Sequence, residues 1–120
     1  MRLRLVFLGK TRRPEIKLII DDYIKRIGRF APIEVSEVRE SEASLKKLVF
    51  DRASTLILLD DTGKTFDSEA FAKWISLHRD RGTRELVFIC GGADGFPDEL
   101  RARAHQKLSL SAMTFSHELA

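Results

Sequence analysis

Short apolar runs of strand length alternate along this chain with stretches whose apolar residues recur every third or fourth position. Between Arg2 and Leu8, Leu3, Leu5 and Phe7 point one way and Arg2 and Arg4 the other, while Val6 and Leu8 thicken the apolar end; this predicts a strand. Thr11 is placed to cap a helix that Pro14 opens, and Ile16, Ile19, Ile20, Tyr23, Ile24 and Ile27 share its apolar face until Gly28 ends it. Ile33 to Arg39 alternates as a half-exposed edge strand, with Ile33 and Val35 opposed to Glu34 and Ser36. Ser41 is expected to cap a short helix running through Ala53.

Thr55 to Leu59 is a fully apolar strand that stops at Asp60-Asp61-Thr62-Gly63-Lys64-Thr65, a polar loop. Ser68 then caps a helix whose Phe71, Trp74, Ile75 and His78 share a face and which ends at Arg81-Gly82. Leu86 to Cys90 is an unbroken apolar run, the pattern of a strand covered on both faces. Gly91, Gly92 and Gly95 follow it, and Pro97 with Asp98 and Glu99 opens a helix that runs to His105. Leu108 and Leu110 mark a last strand from about Gln106. The order β-α-β-α-β-α-β-α-β predicts an α/β domain over residues 1–120, with a mostly parallel five-stranded sheet and helices on both faces. If the strands ending at Leu59, Cys90 and Leu110 are parallel neighbours, the turns after them share one rim and enclose one pocket.

Composition narrows the setting. At 120 residues, 43% hydrophobic and 32% charged, the chain reads as one globular domain with one core. No apolar stretch reaches the ~18 residues of a membrane span, and the apolar opening is cut short by Lys10, Arg12 and Arg13, so neither a membrane segment nor a signal peptide is expected. Cys90 stands alone, which fits a reduced, cytoplasmic environment. A net charge of +3 is compatible with a nucleic-acid partner without requiring one.

Familiar chemistries are mostly excluded by spacing. The glycines after Cys90 lack the G-x-G-x-x-G arrangement and name no dinucleotide, so they serve either a sharp turn or the close approach of a ligand. Gly63-Lys64-Thr65 would need glycine at Leu58 to make a phosphate-binding P-loop. His78, His105 and His117 lie far apart without cysteine partners, so no metal is expected, and His78 reads as a half-buried core residue. No nucleophile elbow occurs. Asp60 and Asp61 end a strand, either as ligand groups or as a solvated corner. Lys10, Arg12, Arg13, Lys25, Arg26 and Arg29 offer a phosphate-binding patch or an ordinary soluble surface.

Taken in order, Leu58-Leu59-Asp60 with Gly63-Lys64, then Phe88-Ile89-Cys90-Gly91-Gly92-Ala93-Asp94-Gly95, then Leu108-Ser109-Leu110-Ser111-Ala112-Met113-Thr114-Phe115-Ser116-His117 resemble the RlmH family of SPOUT-class methyltransferases, and the resemblance covers all 120 residues. It implies transfer of a methyl group from S-adenosylmethionine to a pseudouridine N3 of large-subunit ribosomal RNA, in a homodimeric α/β fold. It places cofactor contacts at Leu59, at Gly91, and at Leu110, Ser111, Ala112, Met113, Thr114 and Phe115. Family members continue through an amphipathic helix and a His-, Pro- and Tyr-containing tail that closes a trefoil knot and completes the active site. Here Ser116 to Ala120 reads as the start of that helix, so a domain shortened at its C-terminal end is expected and no catalytic residue is assigned. The alternative reading is a module that keeps the fold for RNA binding or assembly without catalysis, or an inactive shortened form.

Overall fold

Every neighbouring pair of strands in the sheet is parallel. The strands β1 (Arg2–Leu8), β2 (Ile33–Val38), β3 (Ser54–Thr65), β4 (Glu85–Cys90) and β5 (Gln106–Ser109) lie in the order β2-β1-β4-β3-β5. The computed structural model describes residues 1–39, 47, 53–91, 95–113, 115 and 120. The helix expected from Ser41 to Ala53 lies outside them except for Lys47 and Ala53. Three described helices connect the strands: α1 (Pro14–Ile27), α2 (Ser68–Asp80) and α3 (Asp98–Arg103).

β4 sits at the centre, between β1 and β3, and this explains its uninterrupted apolar sequence. Its alternate side chains enter different cores, and Leu86 and Val87 are both fully buried although they point to opposite faces. On one face Val87 and Ile89 join Val6, Leu8, Leu56, Leu58 and Leu100 of α3. On the other, Leu86 joins Ile57 and Leu108, with Trp74 and Ile75 of α2 packed against them. Helices therefore cover both faces, as the alternating pattern requires. Complete burial of Leu100 contributes roughly 1.5–3 kcal/mol, enough to seat a helix too short to hold itself.

Several boundaries differ from the expectation, each for a local reason. Arg13, not Thr11, precedes α1, with extended backbone and no side-chain cap; Pro14 opens the helix, and the Thr11 N–H donates instead to Glu37 Oε1 at 3.4 Å. Only one row of the apolar stripe of α1 is covered: Ile16, Ile20 and Ile24 are half-buried, whereas Ile19, Tyr23 and Ile27 remain exposed. Asp67, not Ser68, caps α2, its carboxylate accepting the Ala70 N–H at 2.7 Å. Gly82 ends that helix at φ +79°, a left-handed position that suits glycine. α3 stops at Arg103 rather than His105, because His105 leaves the helix to bond Leu56. Its N–H donates to the Leu56 carbonyl at 2.9 Å, and its Nδ1 accepts the Leu56 N–H at 3.0 Å. β5 ends at Ser109, one residue before Leu110.

The largest departure is in β3. Asp60 to Thr65, expected as a loop, continues the strand after an irregularity that brings both Leu59 and Lys64 opposite Leu108. Asp60 Oδ1 makes the bend by accepting from both the N–H and the hydroxyl of Thr62, each at 3.0 Å. Gly63 then packs against the backbone of β5, where a Cβ would fall 2.6 Å from the Lys107 carbonyl carbon and 2.7 Å from the Leu108 nitrogen. Only glycine fits so close an approach.

Candidate active site

The strand registers set one residue from each of four strands level. Cys90 of β4 is paired with Phe7 of β1 on one side and Leu59 of β3 on the other, and Leu59 is paired with Leu108 of β5. Because all these strands are parallel, the segments that follow them emerge at one rim, the place where open α/β sheets hold ligands. There the segments beyond Leu59, Cys90 and Ser109 surround a cavity of about 350 Å³.

Each segment supplies a different part of the wall. From β3 come Leu59, Asp60 and Asp61; from the end of β4 and its connection come Cys90, Gly91, Gly95 and Phe96. α3 contributes Arg101, and the stretch after β5 contributes Leu110, Ser111, Met113 and Phe115, with Ala120 beyond them. Gly91 is needed for packing as well as access, since a Cβ there would come within 3.2 Å of the Gly95 carbonyl oxygen and of the Phe96 ring. Ser111 organises the last stretch: its carbonyl accepts the Ser109 hydroxyl at 2.9 Å, and its Oγ accepts the Met113 N–H at 3.1 Å. That bend leaves Leu110, Met113 and Phe115 as exposed apolar wall.

The polar wall is one connected cluster. Arg101 Nη1 donates to Asp60 Oδ2 at 3.1 Å, and the guanidinium lies over the Phe96 ring, 5.7 Å from its centroid. The Asp60 side chain is only 8% exposed. The Thr62 N–H holds its carboxyl below the usual carboxylate range against the opposing effect of burial, helped by the Thr62 hydroxyl, Asp61 and Arg101. Cys90 is the opposite case, because burial pushes its thiol up to about 12. At neutral pH it is a protonated wall group without nucleophilic character. Among the described residues no His, Cys, Asp and Glu cluster could hold a metal ion.

Of the residues singled out by the sequence, Leu59, Gly91, Leu110, Ser111, Met113 and Phe115 come together around this cavity, and Ala112 does not line it. Thr114 lies outside the described residues, as does His117. His78 and His105 belong to a second hollow near the start of β3, with Thr55 and Trp74. There His78 Nδ1 lies 3.0 Å from the Thr83 hydroxyl, and its ring packs edge-on to Trp74. The basic loop after β1 is closer to the site: Gly9, Lys10 and Thr11 border a small hollow that shares Cys90 and Gly91 with the main cavity. Sequence reasoning missed Arg101 and Phe96. For Asp60 a signal existed, a threonine two residues on; a helix as short as α3 has no periodicity to aim Arg101.

A doubly wound parallel sheet with its cavity walled by Gly91, Gly95 and the stretch after β5 defines the class, and the chain belongs to the SPOUT methyltransferase family: the family described as "Predicted SPOUT methyltransferase" matches residues 1–120. Similar proteins carry the name "Ribosomal RNA large subunit methyltransferase H". That of Trichlorobacter lovleyi is 44% identical over 132 residues, covering 99% of this chain and 85% of the relative. Those of Geobacter sulfurreducens and Solibacter usitatus are 41% and 44% identical, covering 99% and 100% of this chain and 85% and 84% of their own lengths. The expectations of family, of a parallel α/β fold and of a methyltransferase are thereby borne out.

Proposed function

We propose that this chain transfers a methyl group from S-adenosylmethionine to large-subunit ribosomal RNA, at the N3 position of a pseudouridine. The observation that carries this is the meeting of the turns after Leu59, Cys90 and Ser109 around one cavity. The residues present suit such a cofactor. A volume of about 350 Å³ lies within the ~300–1,000 Å³ of small-molecule sites. Leu59, Leu110 and Met113 offer apolar surface to a purine, Gly91 leaves the backbone approachable, and Asp60, Asp61 and Arg101 answer a charged end.

When bound, the cofactor supplies an electrophilic methyl group on a sulfonium. Transfer to N3 would also release the N3 proton to solvent or a base, and what the described residues would supply is alignment, since holding two reactants in line removes much of the barrier. Cys90 is unsuited to a relay because its thiol stays protonated. The rim beside Gly91, with the exposed Lys10 and Arg12, is the side from which a polyanionic substrate would be drawn in. The reading includes a homodimer in the cytoplasm, which light scattering on the purified chain examines.

Calorimetry with S-adenosylmethionine, followed by transfer of labelled methyl groups to large ribosomal subunits lacking the modification, tests the proposal. Saturable binding and label in a single pseudouridine are expected. Binding to ribosomal RNA without methyl incorporation would show a non-catalytic module instead.

A further inference from the structure

The cavity contains one feature that the family resemblance does not assign. Arg101 is the one cationic side chain among the described residues that line it. Its guanidinium is fixed from two directions, by Asp60 through Nη1 and by the Phe96 ring below it. Nη2 lies beside the glycine turn, 3.8 Å from where a Cβ on Gly95 would stand. Leu100, fully buried in the core, sets the rotation of α3 and hence the side from which Arg101 leaves it.

We infer that Arg101 anchors the carboxylate of the cofactor's amino-acid end and so sets the direction in which the cofactor lies; this rests on the proposed methyl donor. Asp60 is a positioning residue in this arrangement. Its Oδ1 is taken by both donors of Thr62 and its Oδ2 by Arg101, so it holds the guanidinium. Arg101 has five N–H donors in a planar fork, and among the described residues Asp60 is its hydrogen-bonded partner through Nη1. A carboxylate from the ligand pairs with the remaining edge of that fork. Asp61, exposed beside it on the same wall, supplies the negative charge that an adjacent ammonium requires.

An amino-acid group carries both signs within a few ångströms, and Arg101 and Asp61 present both signs to the same cavity. The remaining wall is apolar, through Leu110, Met113 and Phe115. A reversed cofactor would place a zwitterion against that surface and a purine against the fixed ion pair, leaving charges desolvated without partners.

The test compares two ligands that differ only by the carboxylate, S-adenosylmethionine and its decarboxylated form, by calorimetry on the whole chain. The native chain is expected to prefer the carboxylate-bearing ligand by about tenfold to a hundredfold, the range of a charge-assisted hydrogen-bonded pair. Arg101→Met should abolish that preference by weakening S-adenosylmethionine alone, with the decarboxylated form unchanged to within about twofold. Arg101→Lys should keep part of the preference, and it carries the test if the methionine variant does not fold. Equal weakening of both ligands, or of neither, overturns the inference while leaving the cofactor reading intact. Failure of the native chain to bind either ligand overturns both.

Discussion

Gly63 shows how one residue couples the two halves of the site. It stands where β3 returns to β5, so close that a Cβ would meet three backbone atoms of Lys107 and Leu108 at 2.6–2.7 Å. Backbone cannot rotate away as a side-chain tip can, so a methyl group here must push the strands apart. Gly63→Ala is expected to destabilise the fold by about 1–3 kcal/mol, the usual cost of overpacking. It should also weaken the cofactor, because Leu110, Ser111, Met113 and Phe115, which line the cavity, follow directly from β5. Urea unfolding and calorimetry check the two effects; unchanged stability would mean that β5 does not lie against Gly63. The glycine itself was visible in the sequence, but its reason was not, since Gly63-Lys64-Thr65 draws attention to phosphate chemistry while the structure uses the position for strand contact.

At the scale of elements, the junction between α3 and β5 depends on His105. Its Nδ1 accepts the Leu56 N–H, so the ring must carry no proton there. Desolvation of the ring, with Arg103 nearby, holds its pKa below the usual 6.5, although the residue as a whole is exposed. A histidine with a depressed folded pKa favours the unfolded state once protonated. Its contribution is therefore intact above pH 6.5 and is lost as pH falls from there toward the folded value. His78, held low by burial and Arg81, acts in the same direction. Asparagine offers an acceptor in place of Nδ1 without a titrating group, so His105→Asn should flatten part of the stability loss between neutral and mildly acidic pH. Urea midpoints across that range decide it, and an unaltered slope would remove His105 from the account. Periodicity cannot anticipate such an element end: the stretch from Asp98 to His105 is locally helical in character, and the bond that stops it comes from Leu56, 49 residues away.

For the whole molecule, the net charge of +3 matters less than where basic residues sit. Lys10 stands beside the hollow that shares Cys90 and Gly91 with the main cavity, on the rim where substrate would enter. If that loop meets RNA phosphate, Lys10→Ala should weaken ribosomal RNA binding, reduce the slope of log K against log salt by about 1, and leave cofactor affinity unaltered. Filter binding across a salt series measures this; an unchanged slope would place the RNA elsewhere.

The order of the strands and of the described helices, the doubly covered β4 and the glycine directly after Cys90 were determined by the sequence alone. These features express local rules, a period of two or of about 3.6 in side-chain direction and the missing Cβ of glycine, so each stretch reports its own part. Tertiary structure decided the level row of Phe7, Cys90, Leu59 and Leu108, the continuation of β3 to Thr65, and the joining of Asp60 to Arg101. Those depend on strand register and on partners as much as 41 residues apart in the case of Asp60 and Arg101, and no local pattern encodes a partner's position.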